Sequence, residues 1–198
     1  MVKIAHLKAK LISTAIIIGV IWLFFLISLI FPGLANYGII PRSSGGLVGI
    51  LLSPLLHADF GHLLSNTIPL SVFIFVLLIF YERMAFGVIA GSVLIGGLLV
   101  WIIARDANHI GASGLIYSLA AFLITSGLIR KKWMLLLVAV ILGIGYSGLI
   151  WGIIPGIAGP NVSWEAHLCG ASAGVALAFM FKPVPPSNAE AAMDSGKK

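Results

Sequence analysis

A chain of 198 residues in which 60% are hydrophobic and 9% charged has too little polar surface to clothe a water-soluble particle, where about a quarter of residues carry charge. With a mean hydropathy of +1.14, apolar side chains must face lipid, and the chain reads as an all-α integral membrane protein. The net charge of +6 sits at the edges of apolar runs without an aromatic-interleaved groove, so anionic lipid headgroups are the partner it fits and nucleic acid is excluded.

Uncharged runs of helical length predict six spans. The first, Leu11–Phe31, follows Lys3, Lys8 and Lys10. It is too long for a signal-peptide core, and Pro32-Gly33-Leu34-Ala35 offers no small-x-small cleavage site. Leu47–Leu56 is apolar but short and contains Gly49 and Pro54, so it reads as an interfacial loop. Leu63–Tyr81, Met84–Ala104, Ile110–Ile129 and Trp133–Ile154 each approach the about 20 residues that a ~30 Å hydrocarbon core requires. Ala166–Phe181 is the shortest run. Beyond Lys182, the stretch holding Pro183, Pro185 and Pro186 reads as disordered. Residues 1–182 thus form one membrane domain, with 183–198 a tail.

An even number of spans puts both termini on one side. That side carries Lys3, Lys8, Lys10, Arg83, Arg130, Lys131, Lys132, Lys182, Lys197 and Lys198, against Arg42 and Arg105 on the other. The basic side is cytoplasmic by the positive-inside rule, so both termini and the tail are predicted there. A prokaryotic cytoplasmic membrane suits the chain.

Polar groups are costly in hydrocarbon, which makes the exceptions informative. His62 and Asn66 open the second span, Ser113 the fourth and His167 the sixth. Even-numbered spans run from outside to inside, so all four residues fall near the outer boundary. His62 shares a helix face with Asn66, and Ser113 with Tyr117. His167 shares a face with Gly170 and Gly174, a small-residue stripe that lets a neighbouring backbone come close.

Ser113 lies in Gly111-Ala112-Ser113-Gly114, where a helix begins and the first N–H groups lack intrahelical partners. Those groups suit an oxyanion formed when Ser113 attacks a carbonyl, and Asn66 and His62 add side-chain donors. His167 supplies the base that a serine hydroxyl needs. Asp59, Asp106 and Glu165 fall outside the apolar runs, so the reading is a Ser-His dyad with Tyr117 stacked on the imidazole. His57 reads as a hydrogen-bonding residue of the loop entering the second span, and His109 as a loop or interfacial histidine. His57 and His62 are five apart and no His-Glu-x-x-His pattern occurs, so zinc is the weaker reading of these histidines, and no cofactor is expected.

At these residues the sequence resembles the rhomboid intramembrane serine proteases. The resemblance runs from about His57 to Phe181 and rests on Gly111-Ala112-Ser113-Gly114, on Ala166-His167 with Gly170 and Gly174, and on His57, His62 and Asn66. It implies a six-helix rhomboid bundle, Ser113 as nucleophile and His167 as base. It further implies an oxyanion site of His62, Asn66 and the Ser113 N–H, with transmembrane protein segments as substrates. The first outer loop departs from the family pattern, having Gly46-Leu47-Val48-Gly49 where many members carry a Trp-Arg pair, and Pro69 lies inside the second span. Two other readings are a non-proteolytic rhomboid-like binder of membrane helices and a small polytopic transporter. Retention of both Ser113 and His167 argues against the first, and the gathering of polar groups at one depth against the second.

Overall fold

The computed structural model describes residues 2–131, 133, 136–137, 140, 151–157, 159 and 162–181. The predicted span Trp133–Ile154, apart from isolated positions, and the tail 183–198 lie outside the described residues. Five long helices are described: α1 Val2–Ile30, α2 Phe60–Tyr81, α3 Ala85–Ile103, α4 Ser113–Ile129 and α5 Trp164–Met180. The first three are long and apolar enough to cross a membrane. The other two have 17 residues each. Helix α5 corresponds to the sixth of the predicted spans.

Helix boundaries depart from the apolar runs for local reasons. Helix α1 starts well before Leu11, because the lysine-bearing segment ahead of the apolar run is itself a good helix former. Asp59 caps α2 by accepting from the His62 N–H at 2.8 Å, which moves its start to Phe60. Helix α4 starts at Ser113 instead of Ile110 because Gly111 takes φ +116°, a conformation that glycine alone tolerates readily, and donates its N–H to the Ser53 carbonyl at 2.8 Å. Ser163 caps α5, accepting from the Ala166 N–H at 3.2 Å. Pro69 does not end α2, which runs through it.

The segment expected to be an interfacial loop is built of short helical turns, Ser44–Leu47, Gly49–Leu52 and Ser53–Leu55. Arg42 anchors it. Its guanidinium donates to the Ala104 carbonyl at 2.8 Å and to Ile102 at 3.3 Å, capping the C-terminus of α3. The Trp101 indole N–H returns a bond to the Ser43 carbonyl at 2.8 Å. A tryptophan and an arginine therefore do tie this loop down, although they come from different parts of the chain.

Phe73, Ile74 and Leu77 of α2 meet Leu119, Phe122 and Leu123 of α4 and Leu177 of α5 in one buried cluster. Between α4 and α5 the packing is closer than side chains permit. A Cβ at Gly170 would collide with the Gly114 carbonyl, and one at Gly174 with the Ser118 carbonyl. At the opposite end, Arg130 donates to the Phe181 carbonyl at 2.8 Å and lies 4.8 Å over the Tyr81 ring, joining α2, α4 and α5. Lys10 of α1 pairs with Glu82 at 3.0 Å beside the end of α2.

Gly170→Val is expected to destabilise the bundle by about 1–3 kcal/mol or more through overpacking against the α4 backbone. Gly19→Ala, where an added methyl meets nothing within 4 Å, is expected to be neutral or stabilising. Thermal midpoints of the two variants in one detergent check the contrast.

Candidate active site

Ser113 is the first residue of α4, after Ala112. The Ala112 carbonyl takes its first intrahelical bond from the Ile116 N–H, so the N–H groups of Ser113, Gly114 and Leu115 lie ahead of the ladder, at the positive end of the helix. His167 is one turn into α5, 7% exposed. The glycine contacts hold the two helices so that Ser113 Oγ and His167 Nε2 stand 2.8 Å apart.

The other ring nitrogen, Nδ1, is 2.8 Å from the Gly152 carbonyl oxygen. A carbonyl only accepts, so Nδ1 carries the proton and Nε2 presents its lone pair to the serine hydroxyl, which donates to it. Tyr117 stacks on the imidazole, with centroids 4.2 Å apart and planes 16° from parallel. The imidazole is thus fixed in position, plane and tautomer.

A cavity of about 740 Å³ opens onto this pair, lined among others by His62, Asn66, Ser65, Ser113 and His167. Asn66 is buried and uses one amide hydrogen on the His62 carbonyl at 2.9 Å, leaving the second available. The His62 ring lies against Gly111, where an added Cβ would come within 2.7 Å of Nε2. The six residues singled out from the sequence therefore occupy one neighbourhood: four line the cavity, Tyr117 stacks on His167 and Gly111 seats His62.

Two residues, His57 and Glu165, differ from their sequence reading, and His109 keeps its expected loop position. His57 is 3% exposed, and beyond a marginal approach to the Leu55 backbone neither of its ring nitrogens finds a hydrogen-bond partner. It packs edge-on against His62 at 5.0 Å instead of tying down a loop through hydrogen bonds. His109 is buried as well, with both ring nitrogens bonded. Glu165, placed by sequence outside the apolar run, is 5% exposed and lies 3.5 Å from the Arg105 guanidinium. The Gly152 carbonyl was invisible to sequence reasoning because a backbone acceptor leaves no residue signature. Among the described residues no group of three His, Cys, Asp or Glu is placed to hold a metal ion.

The family model described as Rhomboid domain matches residues 44–184. An uncharacterized protein of Mycobacterium tuberculosis is 38% identical over 170 residues, covering 81% of this chain and 70% of the relative. One of Mycobacterium leprae is 36% identical over 172 residues, covering 82% and 67%. A putative rhomboid protein of Acanthamoeba polyphaga mimivirus is 27% identical over 160 residues, covering 75% and 83%.

Burial, followed by the proximity of His62, pushes the His57 imidazole from 6.5 down to about 4. Between those values the unfolded chain binds a proton at His57 that the folded chain refuses. The associated stability is therefore complete above about pH 6.5 and declines as pH falls toward about 4. The thermal midpoint is expected to drop across this window, and less steeply in His57→Gln. Equal slopes in the two proteins would contradict the assignment.

Proposed function

This chain belongs to the rhomboid family, whose members are generally intramembrane serine proteases, and from that premise we propose that it is a serine endopeptidase cutting transmembrane segments of other proteins with a Ser113-His167 dyad. The observation that carries the proposal is the 2.8 Å bond from Ser113 to His167 Nε2, with Nδ1 held by a backbone acceptor.

The chemistry follows from those atoms. Ser113 Oγ attacks the scissile carbonyl carbon while its proton passes to Nε2. The imidazolium so formed keeps its Nδ1–H on the Gly152 carbonyl and its face on Tyr117. Negative charge on the former carbonyl oxygen is met by the Ser113 N–H at the start of α4, by the free amide hydrogen of Asn66 and by His62. Collapse of the tetrahedral species breaks the C–N bond, and Nε2 returns its proton to the leaving amine. Water then attacks the ester carbon with His167 again as base, releasing the acid and restoring the Ser113 hydroxyl.

The bilayer arrangement proposed with this reading has six spans and cytoplasmic termini, placing the cavity near the outer face, where a substrate helix end can unwind into it. Prokaryotic cytoplasmic membranes are the proposed location. Polar residues gathered at one end of an otherwise apolar bundle support a cavity near a membrane face, and the excess of Lys and Arg in the termini and alternate loops supports cytoplasmic termini.

Purified protein is expected to react with a fluorophosphonate at Ser113 and to cleave a tagged transmembrane substrate. Ser113→Ala and His167→Ala are each expected to lower kcat about ten-thousandfold or more. Cleavage surviving either substitution would falsify the dyad. Asn66→Ala is expected to lower kcat about a hundredfold to a thousandfold with KM little changed, and an unaltered kcat would remove Asn66 from the oxyanion site.

A further inference from the structure

His109 and Ser163 line the same cavity but lie outside the chemistry described above, and a short bond joins them, with His109 Nδ1 2.6 Å from Ser163 Oγ. The direction of that bond is determined. His109 Nε2 is 2.9 Å from the Arg105 carbonyl, which only accepts, so Nε2 carries the proton and Nδ1 is the acceptor. Ser163 therefore donates its hydroxyl hydrogen to His109 while its oxygen accepts the Ala166 N–H that begins α5. In this tautomer every side-chain polar atom of the pair is used.

Each partner is also held by its backbone surroundings. His109 exchanges two backbone bonds with Ile39, both 2.9 Å. Beside the pair, Arg105 donates to the Val162 carbonyl at 2.9 Å and approaches Glu165 at 3.5 Å. The segment entering α4 is thereby fastened to the segment entering α5. The register is informative. His109 stands four residues before Ser113, and Ser163 stands four residues before His167. The two chains that emerge from this fastening lead directly to the two ends of the dyad hydrogen bond.

We infer that His109 and Ser163, which also line the cavity, form a positioning pair that sets the separation of Ser113 and His167 by acting through the helix starts. The pair does for the loop ends of α4 and α5 what the glycine contacts do for their shafts. Without it, the start of α5 loses its cap, and the first turn carrying His167 gains freedom to shift relative to Ser113. Displacement of a reacting group by about 1 Å costs on the order of a hundredfold in rate.

This inference rests on the proteolytic reading, and the test keeps the two separable. The enzymes compared are wild type, His109→Ala, Ser163→Thr, Ser163→Val and the double variant His109→Ala/Ser163→Val. Turnover of a tagged transmembrane substrate is expressed per site titrated to completion with a fluorophosphonate, so unfolded protein does not enter kcat. Threonine and valine are close in shape, and their comparison isolates the hydroxyl. Ser163→Thr is expected within about threefold of wild type, while Ser163→Val and His109→Ala each lose about tenfold to a hundredfold in kcat, with KM within about twofold. The double variant is expected to be no slower than the slower single one, because both remove the same bond. Equal kcat for the threonine and valine variants, or losses that multiply in the double variant, would overturn the positioning pair while leaving the protease reading intact. A wild-type protein that neither labels nor cleaves would instead remove the protease reading.

Discussion

Everything at the site depends on how closely the backbones of α4 and α5 approach. At Gly170 and Gly174 the α5 backbone lies where any Cβ would collide with the carbonyls of Gly114 and Ser118. Such an approach places Ser113 Oγ and His167 Nε2 at hydrogen-bonding distance although they begin different helices. In lipid, hydrophobic burial gives helices little reason to associate with one another, so close van der Waals packing of small residues carries more of the task than in water. The same property that makes the bundle cohere also makes its geometry unforgiving. A shift along the glycine stripe would carry a carbonyl into a neighbour before it carried the serine far from the histidine.

The third group of the site follows from the same environment. A serine protease in water uses a carboxylate to hold the base in its productive tautomer and to stabilise the imidazolium. Here the Gly152 carbonyl takes the Nδ1 proton. Because a carbonyl can only accept, it fixes the tautomer as firmly as a carboxylate does. It does so without itself being an anion, whereas the buried Glu165 carboxylate, two residues before His167 in α5, lies beside the Arg105 guanidinium. The Nδ1 partner is thus neutral, and the Tyr117 ring stacked at 4.2 Å presents its electron-rich face to the imidazole.

How much of this was legible in the sequence follows from the kind of signal each part leaves. Side chains that break an apolar run stand out, so Ser113, His167, His62 and Asn66 were recognisable, as was the shared face of His167 with Gly170 and Gly174. The helix starts were less legible. An uncharged run from Ile110 gives no sign that Gly111 turns to positive φ and delays α4 to Ser113. Backbone acceptors leave no letter at all, which hid Gly152, and long-range pairing hid the roles of His109 and Glu165. Each of those two looks like a solvated loop residue until Ser163 and Arg105 are brought beside it. His57 misled for the opposite reason, since a histidine in a loop suggests hydrogen bonds that its burial against His62 does not supply.

The loops at this end of the bundle pair much of their own polar backbone internally, and the way they do so ties the segments of the site together. Irregular backbone is tolerated beside hydrocarbon only when protein groups take the place of solvent. Gly111 donates to Ser53, His109 exchanges bonds with Ile39, Asn108 donates to the Ala35 carbonyl, and Arg42 covers the carbonyls ending α3. Arg42 adopts φ +58°, an uncommon conformation for a residue with a side chain, in order to reach them. These bonds pair backbone groups of the loops and tie the segment between α3 and Ser113 to the segment that follows α1. Backbone pairing and positioning therefore coincide here: the bonds that satisfy the loop's own groups also hold the segment that carries Ser113.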